Sequence, residues 1–290
     1  MIPHILGSKP VVEAMEADLK PRVELLRQQG IVPKLAIVRV GANPDDLSYE
    51  RMAIKRAESL DIAVQVFDYP ENVDPELVAG DIRYINEDAS IHGCLMFRPL
   101  PEYMDEQALC NMLVPHKDVD GISVAALGGI FIDDPDALPP ATAEACIKVL
   151  DHYNIPLQGK RVVVVGRSLV IGKPVSMILL RHNASVTICH SKTLDLAEVT
   201  RQADIVICAT GRARAFGAEY FTEGQIVLDV GINFDAEGHM CGDVDSGRAS
   251  RSLQLSRQFL AESGRSLPLV PWSTRFVLLS AARAKECVWS

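Results

Sequence analysis

Short apolar runs alternate with amphipathic stretches along most of the chain. "KLAIVRV" (34–40) and "AVQVFDYP" (63–70) are strand-length and rich in β-formers, and "IHGCLMFRPLP" (91–101) reads as a strand entering a proline-punctuated loop. Between them lie helical patterns: "VVEAMEADLKPRVELLRQQG" (11–30), with one proline inside, then "SYERMAIKRAESL" (48–60) and "DPELVAGDIRYINED" (74–88). The Asp74-Pro75 pair suits an N-cap followed by the first helical residue, where proline's missing N–H is no loss. Strand and helix alternate, which predicts parallel βα units.

The alternation breaks at "DDPDALPPATAEA" (133–145), which feeds a helical "EACIKVLDHYNI" and is the expected interdomain connection. A second α/β series starts at 161: "RVVVVG", a helix from about 173, then "SVTICH", "ADIVICATG" and "QIVLDVGIN". Four strands at this spacing predict a doubly wound, Rossmann-like sheet. The tail "TRFVLLSAARAKEC" (274–287) fits a final helix. The fold class is therefore α/β in two domains, the first spanning 1–145 and the second 146–271.

Composition narrows the partners. Of 290 residues 48% are hydrophobic and 23% charged, ample material for a globular core. The net charge is −9 and no long basic stripe exists, which argues against a nucleic-acid surface. The longest apolar runs, "VVVV" and "IVICA", are far short of the roughly 20 residues a membrane helix needs. "MIPHILGSKPVVEAM" does not read as a signal peptide. Seven cysteines without a C-x-x-C or a metal-ligand spacing read mostly as small buried hydrophobes. A reducing, cytoplasmic location is expected, and no metal.

The second half carries the clearest chemistry. In "VVVVGRSLVIGKP" a buried strand is followed by Gly166, five residues, Gly172, and a helix. Glycine there allows a tight turn and close approach of a ligand, and the helix N-terminus suits a pyrophosphate. The spacing is not G-x-G-x-x-G, and a glycine after a strand also serves as a plain turn. The next strand ends in His190, Ser191, Lys192 and Thr193, with no carboxylate before Asp195. Arg167 follows Gly166 directly. A hydroxyl and a cation suit a ribose 2′-phosphate better than a bare ribose, which favours NADP over NAD.

Taken together, "VVVVGRSLVIGKPVSMILL", "ASVTICHSKTLDLAEVTRQADIVICATG", "VLDVGIN" and "GDVD" resemble the NADP-binding domain of the methylenetetrahydrofolate dehydrogenase/cyclohydrolase family. The first half agrees: "VGANPDDLSYERM", "IHGCLMFRPLP", "HKDVDGIS" and "LPPATAEA" resemble that family's tyrosine segment, substrate strand, Lys-Asp-Val-Asp-Gly motif and connecting loop. The resemblance covers nearly the whole chain and weakens after 245. It implies a folate-binding first domain completed by a C-terminal helix (272–290), and an NADP-binding second domain held by Gly166, Arg167, Ser168, Gly172, Ser191 and Ile232. It also implies a homodimer. The family oxidises 5,10-methylene-tetrahydrofolate with NADP, and many members then hydrolyse the methenyl product.

In the family's pattern a catalytic lysine follows the tyrosine by four residues, a glutamine on the substrate strand tunes it, and a glycine-rich loop closes the site. Here Tyr49 and the pterin-binding Asp120 are present, but the lysine position is Ala53 and the glutamine position Phe97. The loop reads "PWSTRFVL" (271–278). Lys55 lies about 240° around a helix from Tyr49, and Arg56 is two turns away on its face. Without the resemblance, Tyr49 reads equally as a core aromatic. Hydride loss needs orientation more than a protein base, whereas hydrolysis needs positioned acid–base help. The expected activity is NADP-dependent dehydrogenation with weak or lost cyclohydrolase. A bifunctional enzyme with a substitute acid–base group and a non-catalytic NADP- and folate-binding paralogue are the alternatives.

Overall fold

The computed structural model describes residues 8–235 and 238–245. The 271–278 loop and the expected C-terminal helix lie outside the described residues. The chain divides into two compact units, at Val12 and after Ala141.

In the unit that starts at Glu13, the order is α1 (Ser8–Gln28, its first turns counted with the other unit), β1 (Lys34–Val40), α2 (Pro44–Ser59), β2 (Ala63–Tyr69), α3 (Pro75–Glu87), β3 (Gly93–Met96), α4 (Glu106–Met112) and α5 (Val124–Phe131). The three strands are parallel in the order β2-β1-β3. Alternation along the central strand divides the core. Leu35 and Ile37 face a cluster with Leu19, Val23 and Leu26 of α1 and Ala53 and Ala57 of α2. Ala36 and Val38 face the other side, against Val78, Ile82 and Ile85 of α3 and Leu109 of α4. Both faces are covered, as parallel sheets require. Asp74 caps α3 by accepting from Glu76 N. The apolar 91–101 run yields only a four-residue strand, because Pro99 and Pro101 offer no N–H to a ladder.

Two buried charges fix the segment after β3. Lys117 is fully inaccessible, and its Nζ donates to the carbonyls of Ile85, Asn86 (3.0 Å) and Asp88 (2.9 Å) at the end of α3. The cation thus meets the negative end of that helix. Asp118, equally buried, accepts from Ile122 N (3.1 Å) and Ser123 N (2.8 Å) and bridges in parallel to Cys94. Gly121 between them has φ +63°, and a Cβ there would sit 2.5 Å from the Leu138 carbonyl, so only glycine fits. The 117–123 turn is therefore set by its own buried polar groups.

The second unit holds α6 (Ala141–His152), β4 (Arg161–Val165), α7 (Gly172–Arg181), β5 (Ser185–Cys189), α8 (Leu196–Arg201), β6 (Ile205–Cys208), β7 (Ile226–Asp229), β8 (Asn233–Phe234) and β9 (Met240–Cys241). Four parallel strands run β5-β4-β6-β7, and β8 and β9 form a small antiparallel pair. The chain starts in the centre, at β4, and builds outward to both sides, which opens a crevice where strand order reverses.

Asp118→Ala would leave two buried amides without acceptors, at a cost of about 2–4 kcal/mol. Urea unfolding is expected to show a lowered midpoint of that size, whereas Asp136→Ala, an exposed loop substitution, should leave it unchanged.

Candidate active site

Tyr49 stands in the second turn of α2, partly buried against the core cluster that contains Ala53, Phe97 and Val119. Its ring meets the Phe97 ring edge-on, with centroids 5.3 Å apart and planes at 60°. Ala53, one turn on, is fully buried in the same cluster and offers a methyl but no acid–base group. Burial, and then the charge of Asp120, push the Tyr49 phenol well above its ordinary pKa. It is a neutral hydroxyl at any working pH.

The structure brings Tyr49, Phe97 and Asp120 into one neighbourhood. The Asp120 carboxylate is about a quarter exposed, and the Arg98 guanidinium lies 3.9 Å from it. Arg56 does not join them. It pairs with Glu16 of α1, so the helix-face argument that carried it back toward Tyr49 is overridden by a partner on another helix.

Sequence reasoning missed the residues that hold α2 in place. Arg39, 8% exposed at the end of β1, donates Nε to Glu50 Oε2 at 2.7 Å and Nη1 to the Gly41 carbonyl. Glu50 neighbours Tyr49, so this ion pair ties the tyrosine's turn to the sheet. The available signal was Arg39, a charge near the far end of the apolar run that follows Lys34 in "KLAIVRV".

In the other unit, β4 and β5 end side by side, and Gly166 N donates to the Cys189 carbonyl at 2.9 Å. Gly166 has φ +136°, and a Cβ there would lie 2.2 Å from the Ala209 carbonyl. A Cβ on Gly172 would lie 2.2 Å from the Gly166 carbonyl. Packing within the chain alone requires both glycines. Ser168 Oγ accepts from Ile171 N at 3.1 Å and orders the 166–172 loop, while Arg167 and Ser168 are exposed. On the adjacent strand end, Thr193 Oγ1 accepts from His190 N (2.9 Å) and His190 Nδ1 from Lys192 N (3.1 Å). That small turn leaves Ser191 and Lys192 exposed. Ile232 is 44% exposed after β7. A cation, hydroxyls and a helix start thus gather at one edge of this sheet, a donor set suited to phosphates.

Comparison with known proteins agrees with both halves. Residues 6–120 match the catalytic domain of tetrahydrofolate dehydrogenase/cyclohydrolase, and residues 140–256 match its NAD(P)-binding domain. A bifunctional protein FolD of Carboxydothermus hydrogenoformans is 49% identical over 242 residues, covering 83% of this chain and 84% of its own. The chain belongs to the tetrahydrofolate dehydrogenase/cyclohydrolase family. Among solved structures, the bifunctional enzyme FolD from Campylobacter jejuni superposes with a TM-score of 0.91 at 30% identity, covering 97% of this chain and 100% of its own. The Trypanosoma brucei methylenetetrahydrofolate dehydrogenase-cyclohydrolase, complexed with NADP cofactor and inhibitor, gives 0.88 at 27%, covering 98% and 99%.

The "GDVD" segment by which the chain resembles this family contributes a buried lock. Asp243, fully inaccessible, accepts from the amides of Thr210, Gly211 (3.2 Å) and Arg212 (2.9 Å), from Thr210 Oγ1 (2.9 Å) and from Asn233 Nδ2 (2.9 Å). Asp229, at the end of β7, accepts from Gly231 N, Asp243 N and Val244 N at 2.9–3.1 Å. Burial pushes Asp229 up to about 6, and the charge of Asp243 adds to this, while its three amide donors hold it down.

Asp243→Ala strands five donors and is expected to lower the unit's unfolding free energy by at least about 3 kcal/mol, read by chemical denaturation. Asp229 titrates higher in the folded state than its ordinary 3.8. The folded unit therefore takes up its proton first as pH falls from about 6 to 4, and gains stability in that window. Asp229→Asn lacks this titration. Wild type should gain about 2 kcal/mol on the variant between pH 7 and pH 4, and a pH-independent difference would refute the assignment.

Proposed function

We propose that the protein oxidises 5,10-methylene-tetrahydrofolate to the methenyl form with NADP, and hydrolyses the methenyl bridge weakly or not at all. One observation carries the second clause: the Tyr49 face presents the Ala53 methyl and the Phe97 ring where an acid–base pair would have to stand. In this reading the first domain, 1–145 completed by 272–290, holds the folate, and 146–271 hold the cofactor.

The two reactions ask different things of the chain. Hydride leaves a carbon set between two nitrogens, which themselves stabilise the resulting cation. The protein's task is to hold that carbon in place. Asp120 accepts N–H donors of the pterin, Phe97 walls one side of it, and the neutral Tyr49 hydroxyl supplies a hydrogen bond without taking a proton. NADP, when bound, supplies the hydride acceptor. Arg167 and Ser168 on one strand end and Ser191 on its neighbour fit its phosphates, and Ile232 offers backbone groups after β7. Hydrolysis instead needs water activated and a tetrahedral adduct collapsed, work worth roughly 10²–10⁴-fold from a positioned group.

A second reading keeps both activities. The name of the Carboxydothermus hydrogenoformans relative, a bifunctional protein, favours it. The two part on one assay, in which reduced cofactor and methenyl product are followed together from methylene-tetrahydrofolate and NADP⁺. Equal yields with methenyl accumulating support the proposal, whereas its conversion to 10-formyl-tetrahydrofolate faster than in buffer supports the bifunctional reading. No reduced cofactor at high enzyme, with NADP still binding, points to a non-catalytic paralogue. Ala53→Lys combined with Phe97→Gln is expected to raise methenyl hydrolysis at least about tenfold. A homodimer in the cytoplasm completes the proposal, and sedimentation at micromolar concentration tests the dimer.

A further inference from the structure

Phe97 and Arg98 leave the end of β3 toward different partners, as alternation along a strand requires. Phe97 joins the core under α2. The Arg98 guanidinium instead lies 3.9 Å from Glu106 of α4 and 3.9 Å from Asp120. Asp118 is close enough that the Cys110 thiol senses all three carboxylates as well as Arg98. The Lys117 ammonium makes its hydrogen bonds to the carbonyls ending α3, and Arg98 is the cation in ion-pair range of Glu106 and Asp120. Carboxylates gathered without a counterion push one another toward the protonated form.

We propose that Arg98 is the positioning residue for Asp120. Its permanent charge keeps that carboxylate ionised and aimed for the N–H donors of the pterin. The assignment deepens the function proposed above and rests on it.

Asp118 and Gly121 fix the backbone around Asp120, and Arg98 reaches its carboxylate from beyond β3. Glu106 is a fixed counterpost, since its Oε2 accepts from Leu100 N at 2.8 Å. Arg98 thus lies between the anchored Glu106 and Asp120. At 3.9 Å its link to Asp120 is Coulombic and not a bidentate fork, so an incoming N–H breaks no guanidinium hydrogen bond. The Arg98 Nε is buried without an acceptor, a penalty that a leucine filling the same space would avoid. An arginine stays protonated at every working pH, so it supplies charge but no proton transfer. That distinguishes it from the lysine missing at Ala53.

The groups facing Asp120 are Arg98 beyond β3, Glu106 and Cys110 of α4, Tyr49 of α2, and Asp118 in its own turn. Burial keeps the Tyr49 hydroxyl and the Cys110 thiol neutral. The test is binding of 5-formyl-tetrahydrofolate, a folate that cannot lose hydride to the cofactor, to the full-length protein with NADP⁺ from pH 5 to 8. Wild type is expected to bind nearly independently of pH above 6. Arg98→Leu should weaken binding about tenfold at pH 7 and acquire an acid limb shifted upward by about one pH unit. Arg98→Lys should restore both to within about threefold. If Arg98→Leu does not fold, Arg98→Gln, which keeps polarity and removes charge, is expected to show the same losses. Wild-type affinity and pH profile in a folded Arg98→Leu or Arg98→Gln would overturn the assignment alone. A wild-type protein that binds no folate at any pH would overturn the proposed function with it.

Discussion

A lysine ammonium with no access to water, held by three carbonyls at the end of α3, is the constraint on which the first unit turns. Moving such a charge out of solvent is unfavourable by several kcal/mol unless every donor is met. The open end of a helix supplies carbonyl acceptors of the right sign. Lys117 therefore docks α3 against the segment after β3. Asp118 beside it closes the turn through two amides, and Asp120 has nowhere else to go. The position of a candidate ligand contact is thus dictated by two residues that face away from solvent.

The cofactor-side unit solves a related problem with the opposite charge. Asp229 and Asp243 gather the loops after β6, β7 and β9 around carboxylate oxygens, drawing eight donors between them. Gly231 and Gly242 stand where a Cβ would strike these carboxylates. In both units a buried acid organises backbone amides, and a nearby exposed residue (Asp120 in one, Ile232 in the other) inherits its position.

Strand and helix patterns made both α/β units legible, because parallel strands buried on both faces read as continuous apolar runs. The N-cap at Asp74 and the strand–Gly–helix unit at 166–172 were equally plain. Helices α4 and α5 were not read, since they are short, α4 coming after a proline-punctuated loop and α5 after the Asp-Gly turn, local signals that favour turns. Tyr49, Phe97 and Asp120 were singled out through family resemblance, and their proximity depends on long-range packing that no spacing reveals. Arg39, Glu50 and Glu106 escaped notice for a related reason. A charge in a sequence looks solvated until the fold shows what stands opposite it. The glycines at 166 and 172 carried an ambiguous message, because a crowded neighbouring strand demands them as strictly as a bound phosphate would.

The turn at 190–193 is held by three local hydrogen bonds: Thr193 N donates to the His190 carbonyl, His190 N to the threonine hydroxyl and Lys192 N to the imidazole nitrogen, while Ser191 and Lys192 stay exposed. The carboxylate-locked loops share none of those contacts. Substitutions at Ser191 and Lys192 therefore fall where sequence can drift without cooperative unfolding. If these two residues meet the ribose as proposed above, the choice between phosphorylated and plain dinucleotides can change on its own, insulated from the framework that makes the unit fold.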